Sequence, residues 1–147
     1  MSETTDFSIL SGDWLYRSFK NTTQPAQQLS DILFGEGDIT LSVDADGFYQ
    51  NSTLSFGTGY LMDLHGQAVA ENESTFSQPR IAIEMKAFGV DGQETAGWLY
   101  EHRGYLVPNW YNGIGQVTAI VGTVIRVVPH GAGNPAGLVA SFVALKK

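Results

Sequence analysis

The stretch Glu94–Val107, ETAGWLYEHRGYLV, is the longest strand-like run in the chain and carries its densest set of chemically useful side chains. Side chains alternate between the two faces of an extended strand. One face then holds Glu94, Ala96, Trp98, Tyr100, His102, Gly104 and Leu106, which sets an indole, a phenol and an imidazole in line. The other holds Glu101 beside Arg103. A strand of this kind is expected to line a pocket.

Working outward, the same reading recurs along the chain. Trp14–Lys20, Ile39–Val43, Phe48–Phe56, Tyr60–Ala70 and Arg80–Phe88 precede the central stretch, and Val117–Val128 and Leu138–Leu145 follow it. Between them lie turn formers such as Asp46-Gly47, Gly57-Thr58-Gly59 and Asp91-Gly92, and the glycine-rich loop Pro129–Gly137. Pro108 ends the sixth strand. No long helix of 3.6-residue period and no linker interrupts the series, so residues 1–147 read as one domain, with 1–11 as a short lead-in. Eight strands joined mainly by short connections predict an all-β fold, an antiparallel up-and-down barrel in which neighbours pair and the first strand meets the last. A two-sheet sandwich of the same strands is the rival. The triplet Ile32-Leu33-Phe34 is expected to cap an open end of the fold.

Composition narrows the partners. With 15 acidic against 8 basic residues the formal net charge is −7, and no basic run exists, which argues against a nucleic-acid partner. The chain has no cysteine, so disulfides, thiolate catalysis and cysteine-held metals are excluded. There is no basic start with a long apolar core and no run of 18 apolar residues, so neither a signal peptide nor a membrane-spanning helix is expected, and a cytoplasmic protein is the simplest reading. Only 16 % of residues are charged, and the strands VTAIVGTVIRVV and LVASFVAL are apolar on both faces. Their outer faces call for a cover. A second copy of the chain, giving a dimer, is the economical one; the segment Asn21–Phe34 folding back is the other.

Gly12-Asp13-Trp14 reads as G-x-W at the start of the first strand. With the eight-strand plan, this resembles the calycins, the group of lipocalins, fatty-acid-binding proteins and avidins. The resemblance implies a barrel with a central ligand cavity. It also implies that Trp14 closes one end and meets a basic residue from a late strand, for which Arg126 is the candidate. Trp98 and Trp110 loosely resemble the tryptophans that line avidin pockets.

Among candidate functional residues, the aromatics carry most weight. Trp14, Tyr16, Trp98 and Tyr100 sit on strands, and rings with a polar handle suit a flat or ring-shaped ligand. Arg126 and Trp110 join them as ligand contacts. Packing within a filled barrel is the alternative role for the strand aromatics; for Trp110, which sits in a loop, it is a lid or a protein contact. The three histidines, His65, His102 and His130, have no metal-ligand spacing, and no cofactor motif is present. The glycine stretches do not match a phosphate loop, and no nucleophile elbow occurs. The alternation of the fourth and fifth strands places Asp63, His65, Glu84 and Lys86 in water; the reverse would bury an Asp63/His65 dyad or Glu84.

Three functions fit this inventory. The first is a binder of a small, mostly apolar or ring-containing molecule. The second is a small barrel enzyme for cyclisation, isomerisation or elimination, moving a proton with His102, Tyr100 or Glu84. The third is a scaffold with a filled barrel. A filled interior would favour the scaffold, an empty and uniformly apolar cavity the binder, and a cavity with His102 beside a carboxylate or a tyrosine hydroxyl the enzyme.

Overall fold

The computed structural model describes residues 5–20, 27–72, 80–107 and 113–147. Eight antiparallel strands close into a barrel in sequence order: β1 (Gly12–Lys20), β2 (Leu33–Leu41), β3 (Ser52–Ser55), β4 (Leu61–Glu71), β5 (Arg80–Gly89), β6 (Leu99–Val107), β7 (Ala119–Arg126) and β8 (Val139–Lys146). Closure comes from β1, which pairs with β2 along one edge and with β8 along the other. No sheet edge is left open to a foreign strand.

The alternation of the sequence decides what faces inward. On β5, Ile81, Ile83, Met85 and Ala87 are buried, while Arg80, Glu84, Lys86 and Phe88 are exposed. On β4, Met62, Leu64 and Ala68 are buried, with Asp63 and His65 exposed on the outer wall. Trp14, Tyr16 and Ser18 of β1, Tyr100 and His102 of β6, and Ala140, Phe142 and Ala144 of β8 also face inward. Burying each large apolar side chain contributes about 1.5–3 kcal/mol. Two inward positions opposite one another on β6 and β7 are glycines, Gly104 and Gly122, and Phe142 of β8 is in register with Gly122. A Cβ on Gly122 would run into the Arg103 carbonyl oxygen, so the two strands approach this closely only because both side chains are missing.

One end of the barrel is plugged. Trp14 is fully buried, and its indole N–H donates to the Leu10 carbonyl at 2.9 Å, which fixes the turn Ser8–Leu10 across the opening. The basic residue that meets it is Lys146, not Arg126. The Lys146 ammonium lies 5.8 Å from the Trp14 ring centre and donates to the Ile9 carbonyl at 2.6 Å. Trp14 and Lys146 are cross-strand partners, whereas Arg126 pairs with Tyr100 towards the opposite end.

Three strand limits differ from the sequence reading by more than two residues. The sixth strand starts at Leu99 rather than Glu94, because the amides of Ala96 and Trp98 bond locally to the Gln93 and Thr95 carbonyls and Gly97 takes a φ of 82°. The third strand is cut to Ser52–Ser55 by Asn51, whose φ of 47° interrupts the ladder. The second is longer than read, since Leu33–Asp38 pairs with β1 despite containing Gly35 and Gly37. A Cβ on Gly37 would strike the Ser55 carbonyl, so here glycine permits close strand approach rather than a turn. Among the described residues no helix is long and apolar enough to cross a membrane.

Candidate functional site

Opposite the plug, the barrel is hollow. A cavity of about 500 Å³ opens at the end where β1 and β5 finish and β2 and β6 begin, and its wall includes Tyr16, Phe34, Phe56, Tyr60, Trp98, Tyr100, His102 and Arg126. An eight-stranded barrel has room inside for side chains or for one small ligand; here buried core side chains occupy the plug end and the cavity the other.

The deeper part is built around His102. The ring is 1 % exposed, and its Nε2 lies 2.9 Å from the Tyr16 hydroxyl. Phe142 stands edge-on to the imidazole at 5.1 Å and stacks on Tyr16 at 5.8 Å. Burial lowers the His102 pKa to about 4, so the ring is neutral at neutral pH. The Met85 backbone pulls weakly the other way, yet Nδ1 makes no hydrogen bond of acceptable geometry with any described residue. Burial also raises the Tyr16 pKa, which keeps the phenol protonated. The pair therefore shares a hydrogen bond between two neutral groups.

The mouth is built around Arg126, the last residue of β7. The loop after it doubles back, with the Gly137 amide bonded to the Arg126 carbonyl at 2.7 Å, and this brings His130 over the opening. His130 stacks on Trp98 with ring centres 4.2 Å apart and planes 12° from parallel. Its Nε2 is 2.8 Å from the Tyr100 hydroxyl, which also accepts a hydrogen bond from Arg126 Nε at 3.1 Å. Arg126 Nη1 donates to the Pro135 carbonyl at 3.3 Å, and the guanidinium sits 5.4 Å from the Phe34 ring centre and 5.8 Å from that of Tyr100. Burial, and then the Arg126 charge, hold the His130 pKa below its ordinary value.

The structure brings together Tyr16, Trp98, Tyr100, His102 and Arg126 from three strands and the β5–β6 loop. Two residues singled out in the sequence are elsewhere. Trp14 is buried in the plug and does not line the cavity. Glu84 stands exposed on the outer wall, in an open cleft beside His65 and Lys86, because the pleat that turns Ile83 and Met85 inward turns it outward. Trp110 lies outside the described residues. The histidines do not converge: His65 is on the outer wall, His102 in the cavity and His130 at the mouth. Among the described residues no group of three or more metal-binding side chains exists.

Sequence reasoning missed His130, Phe34 and Phe56 as parts of the site. His130 sits in PHGAGNPAG, where the glycines and prolines signal a loop without saying that it returns over Arg126. Phe34 was read as part of a capping triplet and does stand at the open end, from a strand position on β2. Comparison with family models, with curated proteins and with solved structures returns no match.

Proposed function

We propose that the protein binds a small, mostly apolar, ring-containing molecule in the open half of its barrel. The observation that carries this reading is the unfilled cavity of about 500 Å³ with an aromatic wall, set beside a closed half that is packed solid. Pockets of this size bury most of a small ligand and use a few polar groups to orient it. Tyr16, Trp98 and Tyr100 supply flat apolar surface, each fixed by ring contacts to a neighbour. Arg126 supplies a polar anchor at the mouth. A scaffold would have no reason to leave this volume empty.

The test is fluorescence titration with N-phenyl-1-naphthylamine, a neutral aromatic probe that brightens out of water. Saturable uptake of one molecule per chain is expected, weakened roughly tenfold in Trp98→Ala. Absence of saturable uptake would overturn the reading.

One observation favours a second reading, an acid–base enzyme for cyclisation, isomerisation or elimination. His102 and the Tyr16 hydroxyl are within hydrogen-bond distance on the cavity wall. A neutral imidazole beside a protonated phenol can accept a proton at one point of a substrate and return one at another. Under this reading His102→Gln abolishes turnover of a cavity-bound substrate, and unaltered turnover removes His102 from the mechanism.

A further inference from the structure

Arg126 is an unusual residue to find where it is. It is 5 % exposed, and no carboxylate among the described residues pairs with it. Its hydrogen-bond partners are a phenol oxygen and a backbone carbonyl, both neutral, and the surfaces nearest its guanidinium are the Phe34 and Tyr100 rings. The one carboxylate on the cavity wall, Glu36, is already bonded to Arg17 at 3.1 Å, with both side chains largely in solvent. A guanidinium has five N–H donors, and two are used here. Buried charges are ordinarily paired, because an unpaired one loses several kcal/mol of hydration. The protein as a whole is acidic, at −7, so this cation does not belong to a general basic surface. It is an isolated positive charge in the mouth of an aromatic cavity.

We infer that the ligand is an amphipathic monoanion, a ring-containing body carrying one carboxylate-like group, and that the anionic group pairs with Arg126 at the mouth while the body lies on Trp98, Phe34 and Tyr100. This rests on the cavity being a binding site. A planar anion matches the guanidinium fork, and charge-assisted hydrogen bonds of this kind are about twice as strong as neutral ones. Monoanion follows from charge balance: among the described residues Arg126 is the one unpaired cation of the wall, and burial, then the Arg126 charge, hold the pKa of His130 beside it below its ordinary value. A dianion would leave a net negative charge at the mouth.

Two probes that differ by one group test this. 8-Anilinonaphthalene-1-sulfonate and N-phenyl-1-naphthylamine share a skeleton, and only the first is anionic. The readout is the ratio of their affinities for the full chain at pH 7 and low salt. Replacing Arg126 with Gln is expected to lower the anionic-to-neutral ratio at least tenfold, whatever it does to either affinity alone, and Arg126→Lys to keep the ratio within about threefold of the original. A ratio unchanged in Arg126→Gln overturns the inference. Should the variant fail to fold, the Arg126 Nε–H resonance of the unaltered protein serves instead: it is expected to shift with the sulfonate and hold still with the neutral amine. An equal response to both, or none, overturns the inference. If the neutral probe binds one per chain and the sulfonate gains nothing from Arg126, the cavity reading survives and the anion assignment fails. If neither probe binds, the cavity reading fails as well.

Discussion

Acid should unfold this protein through His102. The folded-state pKa of His102 is about 4, against 6.5 for the free side chain, because the buried ring cannot be charged without losing its hydration. The unfolded chain therefore binds the proton more readily, and stability falls as the pH falls. The contribution is complete above pH ~6.5 and is lost progressively down to pH ~4. At about 1.4 kcal/mol per unit, the whole window amounts to about 3 kcal/mol, and the step from pH 7 to pH 4.5 to about 2–3 kcal/mol. That is a sizeable share of the 5–15 kcal/mol typical of a folded domain. Replacing His102 with Gln removes the titration and leaves a group able to bond the Tyr16 hydroxyl. The assay is urea unfolding followed by far-ultraviolet circular dichroism at pH 7, 6, 5 and 4.5 in both proteins. The variant starts less stable at pH 7, yet its curve should be flatter, and the gap between the two should close by about 2–3 kcal/mol at pH 4.5. Parallel loss in both would refute the reasoning and show that carboxylates or the other histidines carry the acid response.

Other outcomes follow from the same geometry. The outer wall of β7, β8 and β1 exposes Val121, Ile125, Val139, Leu145 and Leu15, and no described residue covers them; self-association, most simply as a dimer, is expected by light scattering at micromolar concentration, with Val121→Glu shifting the mass towards 15.9 kDa. A mass of 15.9 kDa for the unaltered protein at every concentration would dismiss it. Gly122→Ala forces a methyl against the Arg103 carbonyl and should lower stability by about 1–3 kcal/mol, which chemical denaturation measures. His130, stacked on Trp98, should quench its fluorescence on protonation, with a midpoint below 6.5 that disappears in His130→Asn; an unchanged titration in the variant would place the quencher elsewhere.

The two-residue period of the sequence separates wall from interior reliably because the barrel has one dry side. It turns Tyr100 and His102 inward and Glu101 and Arg103 outward, and it sorts Met85 from Glu84 in the same way. The same parity that made β6 legible should have removed Glu84 from the candidates, since its immediate neighbours Ile83 and Met85 are large and apolar. Parity carries no information about depth, however. The height of a residue in a barrel depends on strand tilt and on stagger between neighbours, which are set by the whole closed sheet. Arg126 illustrates the loss. Its strand is apolar on both faces, so parity settled neither its direction nor its end of the barrel, and the G-x-W resemblance drew it to Trp14 at the wrong end. Register resolves the matter: Lys146 pairs with Trp14, and Arg126 pairs with Tyr100. The move changes the chemistry as well as the position. A cation stacked on the plug would be a structural clamp, a role Lys146 fills with its bond to the Ile9 carbonyl. The same charge at the open end has neutral partners and an aromatic hollow beneath it, and that placement is what supports the proposal of an anionic ligand there.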